Sequence, residues 1–384
     1  MPKEWLFEPL DTLFFRDGLS IDRGEAGYVE SIFPPHPQTM QGVVRSAILL
    51  THCKDPNLFG FGKCDTCGEE KKCSLPKAIG SPMEGKYGEL DIYGPYLYKN
   101  DKRYFPAPLD LMREKEGGRR LFSLVPGKEK VSCDLGTVRL PTKPEDSNYK
   151  PFEAAGGWIL EAALKRYLKD KKMPAKDELL AESDFYKKEP KVGIAREYAT
   201  HKVETGMLYS IVPLRFEKDV KIGLRVGGVT QEIEPKDFAT KIGGEGRVCG
   251  LKIKAFDKST DKFHLKKEDR IKLVMLQPAD FGGWLLPGFK ETNQDGVVCW
   301  DGSINGVSLR LISACIGRQH KIGGYDMTKN TKKESAVKPM RSYVPAGSVY
   351  FLEVINNSVS EIPAEGKIGN NIAIGLGHYL LGRW

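Results

Sequence analysis

The sequence predicts an α+β protein of two domains, in which antiparallel sheets carry helices on one face. Three observations predict it. The chain has 384 residues, more than one small core needs. Two stretches carry the apolar stripe of a helix, one from Met40 to Ile48 and one from Leu160 to Leu168. After Arg196 the apolar residues fall instead into short runs separated by glycine turns.

Taken in order, Trp5 to Phe15 reads as a strand, closed by a turn at Asp17-Gly18 where glycine tolerates a positive φ. Phe33-Pro34-Pro35-His36-Pro37 excludes regular structure, and Thr39 is placed to cap the helix that follows. Lys54 to Asp101, rich in Gly, Pro, Lys and Cys, has no sustained period and reads as an insertion outside the core layers. Arg113 to Pro151 is charged and irregular, with a hairpin expected around Pro126-Gly127, and reads as a projecting element. Strands are expected over Met207 to Phe216, Lys221 to Val226, Ile271 to Leu276 and Ser348 to Ile355. The predicted division is therefore 1–195, with a Cys-rich insertion at about 52–101 and the projecting element at about 113–151, and 196–384. No fixed-period repeat is visible.

Lys plus Arg number 59 against 51 Asp plus Glu, a formal charge of +8 that favours a polyanionic partner. Met1-Pro2-Lys3-Glu4-Trp5 lacks the apolar run of a signal peptide and no stretch has membrane-spanning length, so a cytoplasmic protein with no membrane partner is expected. Three glycine-rich segments stand out: Ile242-Gly243-Gly244-Glu245-Gly246-Arg247, Lys321-Ile322-Gly323-Gly324-Tyr325 and Ile374-Gly375-Leu376-Gly377-His378. Glycine lets backbone N–H groups approach a phosphate, and Arg247 or Lys321 would add charge; each segment also reads as a plain hairpin turn. None has the Gly-Lys-Ser/Thr of a Walker loop or opens a helix as a dinucleotide fingerprint does. An extended phosphate backbone fits better than a small nucleotide cofactor. Arg16 lies in the turn after the first strand, and Arg45 about 140° around its helix from Met40, away from the apolar stripe. Either could equally be a surface ion pair.

Eight cysteines in a reducing compartment point to metal before disulfide. Cys64-Asp65-Thr66-Cys67 is a knuckle that can present two thiolates, and Cys53 and Cys73 could complete a tetrahedral structural zinc site. The other reading is four reduced, unrelated cysteines. Cys133, Cys249, Cys299 and Cys315 are isolated and read as packing residues.

Two segments together carry a family resemblance: Glu8-Pro9-Leu10-Asp11-Thr12-Leu13-Phe14-Phe15-Arg16-Asp17-Gly18, then Phe33-Pro34-Pro35-His36-Pro37-Gln38-Thr39-Met40-Gln41-Gly42-Val43-Val44-Arg45. With Gly94-Pro95-Tyr96, Tyr104-Phe105-Pro106-Ala107-Pro108, the Gly243 to Arg247 loop, Pro345-Ala346-Gly347-Ser348-Val349-Tyr350 and Gly375-Leu376-Gly377, they run in order from residue 8 to 377. In this the chain resembles subunit three of the type III-B CRISPR Cmr complex, of the RAMP superfamily. The resemblance departs after Gly18, where Leu19-Ser20-Ile21 replaces the usual Arg-Pro-Phe-like triplet.

The resemblance implies two ferredoxin-like (RRM-like) domains with large insertions and a non-catalytic role in antiviral defence. That role is capping the 5′ tag of the guide RNA (crRNA). It further implies docking on the large polymerase-like subunit, contact with the first backbone RAMP subunit, target RNA nearby, and no cofactor for activity. The implied RNA contacts fall on Arg16, Arg45, Gly243, Gly244, Gly246, Arg247, Gly375 and Gly377, and the basic segments add Arg196, His201, Lys202 and Lys321. Two rival readings remain at this stage. One is a RAMP-type endoribonuclease processing precursor guide RNA, with His201 near Tyr198 as its acid–base group; the other is a scaffold that touches only protein.

The cysteine knuckle has a direct test. Protein purified without added metal or chelator should carry close to one zinc by elemental analysis, and none would remove the zinc reading.

Overall fold

The computed structural model describes residues 1–16, 27–60, 73–80, 87–115, 120–144, 151–196, 200, 202–235, 238–256, 261–325, 337–356 and 360–384. Mostly antiparallel sheets dominate it, with few helices. Eight strands form the first sheet, in the order Leu179–Leu180, Trp158–Leu160, Lys102–Pro106, Asp91–Lys99, Val220–Gly227, Lys3–Pro9, Val248–Ala255, Phe238–Lys241, every neighbouring pair antiparallel. Seven strands form the second, in the order Lys290–Gln294, Val297–Ile304, Val307–Cys315, Val349–Val354, Arg270–Met275, His378–Arg383, Glu365–Lys367. The first sheet thus runs on to Ala255, so the sheets do not divide at the expected 195/196 boundary.

Each sheet holds the same four-strand order, fourth-first-third-second in chain sequence. In the first sheet these strands are Val248–Ala255, Lys3–Pro9, Val220–Gly227 and Asp91–Lys99; in the second they are His378–Arg383, Arg270–Met275, Val349–Val354 and Val307–Cys315. Only the first sheet has a long helix between its first and second strands, Pro37–His52. In the second sheet a strand pair, Lys290–Gln294 and Val297–Ile304, stands in that place. The units share an order without sharing a residue pattern, which is why the sequence shows no repeat.

The Pro37–His52 helix begins at His36, not Thr39: the His36 Nδ1 accepts the Gln38 N–H at 3.4 Å and Pro37 fills the first turn, where no N–H is needed. Met40, Val43, Val44, Ala47 and Ile48 bury the predicted stripe against Trp5, Phe7, Ile222 and Leu224. The second long helix, Glu161–Asp170, buries Ala163, Leu164, Tyr167 and Leu168 as predicted. It packs on the opposite face, against Leu6, Tyr96 and Tyr98. Side chains alternate across a strand, so Trp5 and Phe7 serve one helix while Leu6 serves the other. The expectation that helices lie on one face is corrected accordingly.

The same second helix also touches Val274, Val349, Phe351 and Leu380 of the second sheet, and is held between the two. Gly382 permits the close approach: a Cβ there would lie 2.7 Å from Leu168 Cδ2.

Two further expectations are revised. Asp91–Lys99, assigned to the insertion, is a central strand of the first sheet. Gly94-Pro95 hid it by interrupting the strand pattern, and the pairing with Val220–Gly227 shifts register between Gly223 and Arg225, beside the proline that has no N–H to offer. Part of the projecting element lies on the second sheet: Val131–Cys133 and Gly136–Val138 form a hairpin turning at Asp134-Leu135, while Val125–Pro126, at the expected turn, pairs with Pro141–Thr142. Val138 joins the second sheet's core, and the Ser313 hydroxyl donates to the Arg139 carbonyl at 2.8 Å. Of the isolated cysteines, Cys249 and Cys299 are buried and Cys315 is partly buried, but Cys133 is exposed.

A buried ion pair fastens this interface. Lys272 Nζ of the second sheet lies 2.6 Å from Asp110 Oδ2, and over the Tyr167 ring of the second helix at 3.9 Å. Burial pulls the Lys272 ammonium down and Asp110 opposes the shift. Removing one partner strands the other charge, so Lys272→Met should lower unfolding free energy by about 3–5 kcal/mol. In denaturant titration, adding Asp110→Asn should restore part of the loss; a neutral single variant would contradict the assignment.

Candidate nucleic-acid interface

The Gly243 to Arg247 segment is the hairpin loop joining Phe238–Lys241 to Val248–Ala255. Ile242 N–H donates to the Arg247 carbonyl at 3.0 Å and closes it. Gly243 has φ +71°, and a Cβ there would lie 2.4 Å from the Phe14 carbonyl oxygen. That oxygen accepts the Gly244 N–H at 2.7 Å. The contact pins the loop to the chain two residues before Arg16, which is exposed. Arg16 and Arg247 are thereby held on neighbouring segments, 231 positions apart by number.

Arg247 Nη1 lies 2.9 Å from Asp11 Oδ2, and Arg215 Nη2 lies 3.3 Å from Asp11 Oδ1. Arg215 also pairs with Glu189, which Lys191 meets at 3.0 Å. The Thr12 N–H, with Lys191, Arg215 and Arg247 nearby, holds the Asp11 carboxyl below its usual range. Lys191, Arg215 and Arg247 therefore surround two carboxylates, Asp11 and Glu189, and Arg16 lies on the segment next to the Arg247 loop. Sequence reasoning missed Lys191 and Arg215, because a cluster assembled across more than 200 residues leaves no local signal. Lys191 also begins the strand Lys191–Arg196, which pairs with Val203–Val212, and that strand pairs in parallel with Gly27–Glu30. Arg196 ends the first of these strands and Lys202 precedes the second, so both stand at the far end of this arm; His201 lies outside the described residues.

The other predicted positions fall elsewhere. Arg45 is half-buried, donates from Nη2 to the Gly80 carbonyl at 3.2 Å, and has its pKa drawn down by burial. Lys321 is exposed in the strand His320–Tyr325, whose glycines form a register shift within a strand pair and not a turn. Gly375 and Gly377 are packed inside: a Cβ on Gly377 would lie 1.8 Å from the Ile368 carbonyl oxygen, and one on Gly375 would lie 2.8 Å from that of Gly94. The Gly377 N–H donates to the Pro278 carbonyl at 2.8 Å. The N–H groups of Gly244 and Gly377 are thus spent within the protein, whereas Gly246 stands open, with nothing within 4 Å of where its Cβ would be.

At the start of the first long helix, the His36 ring meets Tyr343 edge-on at 4.9 Å. Burial and nearby His320 push His36 down to about 4. Cys53 and Cys73 are half-buried against the first sheet's core, while Cys64 and Cys67 lie outside the described residues. Among the described residues no helix is long and apolar enough to cross a membrane.

The topology and the Asp11 cluster define an α+β protein built on two large sheets, with a concentrated basic surface where one loop meets the first strand's end. The chain belongs to the family described as CRISPR-associated protein (Cas_Cmr3), whose model matches residues 5–384. No curated protein matches it. Among solved structures it is similar to a chain of the Type III-B Cmr-beta complex bound to cognate target RNA and AMPPnP, at 16% identity and TM-score 0.48 over 91% of this chain and 86% of that one. It is also similar to a chain of a Csm1–Csm4 cassette in complex with pppApA, at 12% identity and TM-score 0.33 over 99% and 94%. A third is in a Csm3–Csm4 subcomplex of the type III-A interference complex, at 10% identity and TM-score 0.37 over 94% and 99%.

Proposed function

We propose that the chain is the RNA-binding subunit of a type III-B CRISPR effector that holds the 5′ tag of the guide RNA. In this reading it docks on the large polymerase-like subunit, contacts the first backbone RAMP subunit with target RNA close by, and cuts no RNA itself. The repeated four-strand order supports two reduced ferredoxin-like units, in which the described residues between the third and fourth strands hold only short 3-10 turns, Gln231–Ile233 and Ile372–Ile374.

The observation that carries the RNA reading is the Gly244 to Phe14 hydrogen bond, which sets Arg16 beside the Arg247 loop and its neighbours Arg215 and Lys191. Exposed ion pairs such as Arg215–Asp11 are worth about 0–1 kcal/mol, so phosphate oxygens can exchange with these carboxylates at little cost. Several cations gathered on one surface suit a backbone tracked over several nucleotides better than one small anion. Absence of cleavage rests on chemistry: RNA hydrolysis without metal needs a base at the 2′-hydroxyl and an acid at the leaving oxygen.

Arg16→Ala, Arg215→Ala and Arg247→Ala should each weaken binding of tag-containing guide RNA and flatten its salt dependence by about one phosphate's share. Unchanged affinity and slope in all three would refute the site and favour a protein-only scaffold. Labelled repeat RNA should stay intact with or without Mg²⁺; cleavage abolished by His201→Ala would establish the nuclease reading instead.

A further inference from the structure

A cleft between the Glu161–Asp170 helix and the paired strands Lys262–Leu265 and Ser360–Pro363 shares no residue with the Asp11 cluster. Its cavity of about 940 Å³ is the size that takes small organic ligands. Leu168, Phe263, Pro363 and Leu380 give it an apolar floor. Six Lys or Arg side chains stand around it against three carboxylates, Asp170, Asp261 and Glu365.

These cations differ in availability. Arg225 is committed to Glu365 at 2.7 Å with its side chain 4% exposed, and Arg166 to both oxygens of Glu178. Lys165 and Lys262 sit in exposed pairs, with Glu161 at 3.0 Å and Glu361 at 2.8 Å, which an incoming anion can replace. Arg383 is only loosely paired, 3.7 Å from Asp269, and lies 5.8 Å from the Phe263 ring centre. Lys169 is exposed and has no ion-pair partner among the described residues.

An inorganic anion would leave the floor uncovered, and a neutral apolar molecule would leave the cations unused. We propose that this cleft binds a nucleotide unit, free or as one residue of single-stranded RNA, with its base on the Leu168, Phe263 and Leu380 floor and its phosphate on Lys169, Lys262 and Arg383. The assignment goes beyond the tag-binding reading and does not rest on it. A flat base suits the apolar floor because every base has an apolar face, so little base preference is expected. The phosphate instead supplies the charge that the rim selects.

Equilibrium dialysis of the full chain against AMP, adenosine, inorganic phosphate and tetra-adenylate RNA tests this. AMP or tetra-adenylate should bind at least about tenfold more tightly than adenosine or phosphate, the tighter of the two naming the source. Lys169→Glu, on the exposed helix surface, should weaken that binding about tenfold. Ala364→Phe, which fills the cleft, should abolish it. Arg16→Ala should leave AMP binding unchanged, so the tag site and this cleft can fail separately. No binding, equal binding of adenosine and AMP, phosphate binding as tightly as AMP, or indifference to both cleft variants would overturn the proposal, as would capture of an acidic peptide in preference to AMP.

Discussion

Buried charged groups carried across the junction of the two sheets are the constraint on which the rest of this molecule depends. Arg225 of the first sheet reaches Glu365 of the second at 2.7 Å, and the same Glu365 oxygen lies 2.8 Å from His378 Nε2. If Nε2–H donates there, Nδ1 is the acceptor for the Tyr96 hydroxyl at 3.2 Å, and both sheets are satisfied by one neutral ring. Burial pushes His378 down to about 4, which agrees with a neutral ring. Burial acts against the Glu365 carboxylate, but the hydrogen bonds from His378 and Arg225 outweigh it and hold the carboxyl well below its usual range. The Arg225 guanidinium also stacks on Tyr93 at 3.6 Å. An isolated charge would be very costly at such depth, so an arrangement of the sheets that separated Arg225 from Glu365 would be penalised.

That arrangement explains which parts of the fold were legible in the sequence. Both helical stripes could be read, since each helix buries one face and Ala163, Leu164, Tyr167 and Leu168 keep helical spacing whatever they touch. Neither stripe says which face of the sheet its helix covers; that depends on Leu6 pointing opposite to Trp5 and Phe7. Asp91–Lys99 was concealed because Gly94-Pro95 breaks a pattern that a register shift then repairs in space. The extent of the first sheet was hidden likewise: it takes its last strands from residue 238 onward, after a long excursion that adds Lys102–Pro106, Trp158–Leu160 and Leu179–Leu180 to its edge.

The candidate interface was half legible. Arg16 and the Gly243 to Arg247 loop were visible as basic, glycine-bearing segments, and the Phe14 to Gly244 contact brings them together. Some of these glycines also have a role within the fold. Gly243 and Gly377 are required by positive φ and close backbone approach, and the N–H groups of Gly244 and Gly377 satisfy the protein's own carbonyls. Lys191 and Arg215 gave no signal, because their meeting with Asp11 and Glu189 exists only after the first strand, the arm and the Leu214–Phe216 strand have converged. Charge that looks dispersed along the chain is thus concentrated by topology.

If buried charges make the sheets one unit, they must open together. Hydrogen exchange followed by mass spectrometry across a series of mild denaturant concentrations measures this directly. The amides of Ile222 to Val226 in the first sheet and of Ile271 to Met275 in the second should lose protection at the same denaturant concentration, with the same dependence on it. Opening of the Ile271 to Met275 strand at a distinctly lower concentration, while Ile222 to Val226 stays protected, would show two independent units and contradict the account.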